Sequence, residues 1–139
     1  MEKHPYILVA DDDFEDRSIM NECFKFLGHN DAVRFLEDGI SLIEYLSAAD
    51  NEPASLIVLD LNMPKINGTE TLRLIRNIPA ASNIPVVIFS TSLNEIEKRN
   101  CMKLGAKEYI TKPSKWETYV EACRNFFNMS VNGLPATNQ

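Results

Sequence analysis

The chain has 139 residues, 45% hydrophobic and 24% charged, with a formal net charge of −6; one domain is expected, able to bury roughly 68% of its unfolded surface without disulfide or metal staples. The acidic balance speaks against direct nucleic-acid binding, which needs clustered Lys and Arg, and no apolar run approaches the roughly 18 residues of a membrane span. Residues 1–5 lead straight into a strand and leave no room for a signal peptide, so a cytoplasmic protein is expected.

In chain order, Tyr6 to Ala10 reads as a strand, followed by a helix from Phe14 to Leu27 with Ile19, Cys23 and Phe26/Leu27 on one face, stopped at Gly28. Ala32 to Leu36 is a second strand, and after the Asp38-Gly39 turn a helix carries Ile40, Ile43 and Leu46. Leu56 to Leu59 and Val86 to Ser90 are continuous apolar runs, as strands covered on both faces should be. Between them a helix opens at Gly68, carries Leu72, Ile75 and Ile78, and stops before Pro79. A mostly polar helix from about Leu93 to Leu104 ends at Gly105, Lys107 to Ile110 is a fifth strand, and Trp116, Tyr119, Val120, Cys123, Phe126 and Phe127 follow the most regular helical spacing in the chain. Cys23 and Cys123 lie on apolar helix faces as buried fillers, whereas Cys101 is expected to be partly exposed; an odd cysteine count without CxxC spacing argues against a disulfide framework or a zinc site.

Five strand-helix units predict an α/β fold: one doubly wound, five-stranded parallel sheet of flavodoxin-like order 2-1-3-4-5, with helices on both faces. Residues 1–128 form this domain, and 129–139 read as a loose polar tail. Ligands of such sheets bind outside the carboxyl ends of the strands, at the switch point between strands one and three. Those two strands end in acid. Five of the six residues from Asp11 to Asp16 are acidic, and the run ending at Leu59 is followed by a lone Asp60. Crowded carboxylates cost roughly 1 to 4 kcal/mol per close pair at surface-like dielectric, so a cation is expected among them. Lys112, at the end of the fifth strand, adds a positive charge suited to a phosphate.

Four separated motifs, Val9-Ala10-Asp11-Asp12-Asp13-Phe14, Leu59-Asp60-Leu61-Asn62-Met63-Pro64-Lys65-Ile66-Asn67-Gly68, Phe89-Ser90-Thr91-Ser92 and Gly105-Ala106-Lys107-Glu108-Tyr109-Ile110-Thr111-Lys112-Pro113, together resemble the receiver domain of two-component response regulators. The resemblance runs in order from about residue 5 to 128. Asp16-Arg17 and the Trp116/Tyr119 spacing are similar to stand-alone regulators that pair with phytochrome-type kinases.

The resemblance implies that Asp60 accepts a phosphoryl group from a sensor histidine kinase or a histidine phosphotransfer protein. A carboxylate is a competent nucleophile toward phosphorus, and a hard divalent cation such as Mg²⁺ suits an all-oxygen donor set. The resemblance assigns the metal to Asp13 and Asp60 directly, to the backbone carbonyl of Asn62, and to Asp12 through water, leaving Asp11 as an additional acidic neighbour. It makes Lys112 the ammonium that meets the phosphoryl group and implies a cis bond to Pro113. Ser90 and Tyr109 become the switch pair. Each residue also has a plainer reading: Asp60 as a turn or helix cap, Lys112 as a surface lysine, Ser90 as a strand-end hydroxyl, Tyr109 as a half-buried aromatic, Glu15 and Asp16 as helix-dipole acids, Trp116 and Tyr119 as core contacts of the last helix.

The signal would leave by contact with a downstream protein, around the loosely anchored fourth helix, the fifth strand and the fifth helix, since no output domain is expected after the last helix. Kinase docking near Phe14 and Ser18 follows by analogy. A homodimer stays open. Thr91 is bulkier than the residue often found at its place and is expected to shield an acyl phosphate from water. Two rivals remain: a Mg²⁺-dependent phosphatase with an aspartyl-phosphate intermediate, which would set its nucleophile after the first strand and add a cap, and a flavodoxin-like cofactor carrier, whose first loop would not be nearly all carboxylate.

Overall fold

The computed structural model describes residues 6–48 and 52–132. The strands are β1 (Ile7–Ala10), β2 (Val33–Leu36), β3 (Leu56–Leu59), β4 (Val86–Ser90) and β5 (Glu108–Thr111), and the helices are α1 (Phe14–Phe26), α2 (Gly39–Ser47), α3 (Gly68–Arg76), α4 (Glu95–Lys103) and α5 (Trp116–Asn132). A single 3₁₀ turn, Asn30–Ala32, precedes β2. All strands are parallel in the order β2-β1-β3-β4-β5, as the alternation of elements required.

Alternate residues of each strand face opposite ways, and the core divides accordingly. Leu8, Ala10, Ile57, Leu59, Val86 and Ile88 pack with Leu42, Leu72, Ile75 and Cys101 beneath α2, α3 and α4. Ile7, Val9, Leu56, Val58, Val87 and Phe89 pack with Met20, Cys23, Phe24, Val120, Cys123 and Phe126 beneath α1 and α5. The three central strands are wholly buried and the edge strands β2 and β5 only partly, which explains why β1, β3 and β4 read as unbroken apolar runs.

The helices depart from expectation in their buried faces and their ends. On α1 the inward residues are Met20, Cys23 and Phe24, with Ile19 and Phe26 exposed, because docking against both the sheet and α5 turns the face away from Ile19. On α2 the buried side chain is Leu42, and Ile40 is exposed. Helix α4 starts two residues later than Leu93, since the Asn94 side chain accepts from the backbone N–H of Ile96 and Glu97 and caps it there. Its one buried residue is Cys101, expected to be partly exposed but fully covered, with Thr69 Oγ1 3.8 Å from its sulfur. Leu93 and Ile96 are left 76% and 65% exposed, so α4 is anchored through few side chains. Helix α5 continues to Asn132 rather than ending at 128: Met129 packs on the core, and buried Ser130 donates to the Phe127 carbonyl at 2.7 Å. Residues 133–139 of the expected tail lie outside the described residues.

The loop from β3 to α3 is held tightly. Gly68 N–H donates to the Leu61 carbonyl at 2.9 Å, Asn67 caps α3 through the Glu70 N–H at 2.8 Å, and a Cβ on Gly68 would stand 2.7 Å from Leu61 Cα and closer still to the Asp60 carbonyl oxygen. Backbone cannot yield as a side-chain tip can, so Gly68→Ala is expected to lower stability in urea unfolding by about 2 kcal/mol, in the range for overpacked sites.

Candidate functional site

Sheet register brings the acids together. Ala10 pairs with Leu59, so the next residues, Asp11 and Asp60, leave the sheet side by side, and the Asp60 N–H donates to the Ala10 carbonyl at 3.0 Å. Asp11 is 1% and Asp60 6% exposed, while Asp12 is open to solvent. Carboxylate oxygens of these three residues lie within 4.8 Å of one another.

Asp13 is not in this group. It is exposed and caps α1, its carboxylate accepting from the Asp16 N–H at 3.1 Å. The acidic cluster therefore begins one residue earlier than expected: Asp11, read from sequence as an additional neighbour, is its most buried member. The three consecutive aspartates conceal this offset, but aligning Ile7-Leu8-Val9-Ala10-Asp11 with Leu56-Ile57-Val58-Leu59-Asp60 reveals it.

Lys112 enters from the other flank. Ser90 pairs with Thr111, and the Lys112 N–H continues the ladder to the Ser90 carbonyl at 2.9 Å, so the side chain starts just beyond the sheet. Its ammonium, 5% exposed, donates to Asp11 Oδ2 at 2.7 Å, to Asp16 Oδ2 at 2.7 Å and to Asp60 Oδ2 at 3.4 Å. It reaches them from a trans bond to Pro113: the described residues contain no cis peptide bond, contrary to the expectation, and trans is the ordinary preference of such bonds. Asp16, expected to serve only the helix dipole, is thus a full partner of Lys112, and Arg17 beside it donates to the Asp11 carbonyl at 2.7 Å.

Charges are shifted as burial and crowding dictate. Burial pushes the Asp11 carboxyl up to about 6, against the pull of the Lys112 ammonium, and raises Asp60 from its usual value against Lys112 and the N–H groups of Asn62 and Leu61. Burial works to lower Lys112, but the carboxylates of Asp11 and Asp16 outweigh it and hold the ammonium above the ordinary lysine value. The carboxylates of Asp11, Asp16 and Asp60 share one ammonium, and Asp12 stands beside Asp11 and Asp60. The excess negative charge, with all-oxygen donors and a mouth open at Asp12, fits a hard divalent cation.

The remaining expected residues border this centre. Ser90 is fully buried, its hydroxyl accepting from the Ser92 N–H at 3.2 Å. Tyr109 is half-buried, and its hydroxyl donates to the Ser92 carbonyl at 2.8 Å, so both are tied to one short loop after β4. Asn62 is exposed, and its N–H donates to the Asp60 carboxylate. Of the aromatic pair on α5, Tyr119 is core and Trp116 is 42% exposed.

Residues 7–124 match the response regulator receiver domain family. The chain belongs to that family. This receiver is 32% identical over 111 residues to the two-component response regulator ORR12 of Oryza sativa subsp. japonica, covering 80% of this chain and 88% of the relative. It is 28% identical over 128 residues to the aerobic respiration control protein ArcA of Escherichia coli, covering 92% of this chain but only 50% of ArcA, so it spans half the length of that relative. Among solved structures, the phosphorylated cyanobacterial phytochrome response regulator RcpA superposes with a TM-score of 0.84 at 28% identity, over 96% of this chain and 98% of that one. The Mn²⁺-bound form of response regulator Rcp1 gives 0.81 at 26% identity, over 97% and 100%. The chain thus carries a phosphoaccepting receiver domain, and its acidic pocket is of the metal-binding kind found in receivers. Among the described residues no helix is long and apolar enough to cross a membrane.

The raised Asp11 carboxyl sets a pH dependence. The folded protein keeps a proton that the unfolded chain releases between the usual 3.8 and about 6, so stability of the metal-free receiver falls as pH rises through that window, by up to roughly 3 kcal/mol. Urea unfolding from pH 4 to 7 in chelator is expected to show this decline, with the slope reduced in Asp11→Asn.

Proposed function

We propose that Asp60 is the phosphoacceptor and that Asp11, Asp12 and Asp60 hold Mg²⁺. The observation that carries this reading is the buried Asp60 carboxylate at the end of β3, beside two further carboxylates and facing the Lys112 ammonium. An Asp60 oxygen attacks the phosphorus of a phosphohistidine; the P–O bond forms as the P–N bond breaks, and the histidine ring leaves with the nitrogen electron pair. Mg²⁺, when bound, supplies charge neutralisation between the anionic donor and the anionic acceptor. Lys112, whose ammonium already stands 3.4 Å from Asp60, turns to a phosphoryl oxygen as a point charge. The Ser90 hydroxyl, now an acceptor from the Ser92 N–H, turns to donate to another. Withdrawing it frees the loop that holds Tyr109, and the signal passes to the sparsely anchored α4 and its neighbours β5 and α5.

Similarity to RcpA supports a phytochrome-type sensor kinase or a phosphotransfer protein as donor, and the Mn²⁺-bound Rcp1 supports a divalent cation in this pocket. Output by contact with a downstream protein, in the cytoplasm, completes the reading. Asn62 enters only through its backbone, and Asp13 has no part in the metal site on this view.

Incubation with acetyl phosphate and Mg²⁺ followed by intact mass is expected to add one phosphoryl group to the parent and none to Asp60→Asn; equal uptake by both would remove the assignment. Thr91 is exposed beside the pocket, and Thr91→Ala is expected to lose its phosphate several-fold faster, because a methyl and hydroxyl no longer screen the acyl phosphate from water. Equal half-lives would contradict that screening role.

A further inference from the structure

Between α1, the loop after β4 and the start of α5 lies a cavity of about 310 Å³, lined among others by Asp16, Ile19, Thr91, Lys112, Trp116 and Tyr119. Two features of it are unused by the phosphoacceptor chemistry. One is Asp16, whose carboxylate holds Lys112 at 2.7 Å, closer than Asp60 does at 3.4 Å. The other is the Tyr119 hydroxyl: Tyr119 is 4% exposed, and its hydroxyl is buried with no hydrogen-bond partner among the described residues. A buried, unpaired hydroxyl costs roughly 1–3 kcal/mol and is rare enough to require a reason. Burial raises the Tyr119 hydroxyl above its usual value, and the Asp16 carboxylate, which lines the same cavity, adds to this.

We propose that Asp16 and Tyr119 form a positioning relay for Lys112: Asp16 draws the ammonium closer to itself than to Asp60 in the resting protein, and when Lys112 turns to the phosphoryl group the released Asp16 carboxylate is taken up by the Tyr119 hydroxyl. This rests on Asp60 being the phosphoacceptor. The geometry explains why Lys112 is divided among three carboxylates. Moving an ammonium off Asp16 would strand a half-buried carboxylate, 27% exposed, unless another donor replaced it. Tyr119 is that donor, already buried beside the same cavity with its proton uncommitted. The exchange links the chemistry to α5 directly, on the opposite side of the site from Ser90 and Tyr109. Trp116, one turn earlier on α5 and lining the same cavity, lies where such an exchange is felt at the surface.

The test compares the parent, Asp16→Asn, Tyr119→Phe and the double variant, using beryllofluoride with Mg²⁺ as the phosphoryl mimic. In the parent background Tyr119→Phe is expected to weaken beryllofluoride binding about tenfold, the scale of one hydrogen bond to a charged group; in the Asp16→Asn background the same change is expected to cost less than about twofold. In protein labelled on tyrosine ring carbons, the Tyr119 signal, identified by its loss in Tyr119→Phe, shifts on beryllofluoride addition in the parent and not in Asp16→Asn. In the metal-free protein the Lys112 ammonium resonance moves in Asp16→Asn and stays in Tyr119→Phe. Equal losses in both backgrounds, or an unmoved Tyr119 signal in a parent that binds the mimic, overturn the relay while leaving Asp60 as phosphoacceptor. A parent that does not bind the mimic, or an Asp60→Asn variant that binds it equally, overturns both.

Discussion

One ammonium shared among three carboxylates is the interaction around which this receiver is arranged. Lys112 touches Asp11 and Asp16 at 2.7 Å and stands 3.4 Å from Asp60, nearly all of it out of water. Neither sign of charge is tolerable there alone. Without the ammonium, three crowded and largely buried carboxylates would repel or take up protons, and without the carboxylates a buried lysine would lose its charge; breaking such a network by removing one partner costs on the order of 3–5 kcal/mol. The positive charge is nevertheless too little for the acids it serves, and that imbalance reserves a place for a divalent cation. The phosphoryl group that the site receives is anionic, so the same lysine has a further partner to turn to.

The sheet makes this arrangement possible at no conformational expense to the site itself. Parallel strands deliver these residues to one edge: β1 and β3 end level, so Asp11 and Asp60 emerge side by side, and β4 runs two residues past the level of Leu59 to end level with β5, which brings up Ser90 and Lys112. Two apolar layers hold those strands fixed, one under α2, α3 and α4 and the other under α1 and α5. The helices beyond β4 are anchored unevenly. Helix α5 buries six residues along its length, whereas α4 buries only Cys101. On the proposed reading, a change at Ser90 meets least resistance toward α4, because few apolar contacts must be remade there.

Sequence patterning carried the architecture well, because a parallel sheet covered on both faces leaves unbroken apolar runs, and helices that cover it leave apolar stripes. It was less informative about which stripe faces inward: α1 offers Ile19 and Met20 side by side, and only packing against the sheet and α5 together selects Met20. Cys101 was misread for a similar reason, since a polar helix still needs one point of attachment and a small thiol provides it. At the site, Asp60 stood out as a charge at the end of an apolar run and Lys112 as one at the end of the fifth strand. The offset among Asp11, Asp12 and Asp13 did not, because three identical residues hide which one caps the helix and which remain with the strand. What the sequence did not show of Asp16 and Tyr119 was that they line one cavity beside Lys112, because that follows from the meeting of α1 with α5, about a hundred residues apart in the chain.

The central claim is that the excess of carboxylates over Lys112 is a cation site centred on Asp11, Asp12 and Asp60. Crystals grown with Mn²⁺ and measured for its anomalous scattering test this directly. The account requires one strong peak between those three side chains, with the Lys112 ammonium retained on the far flank and Asp13 still capping α1. A peak coordinated by Asp13 with Asp11 turned away, or an empty pocket at millimolar Mn²⁺, would contradict it.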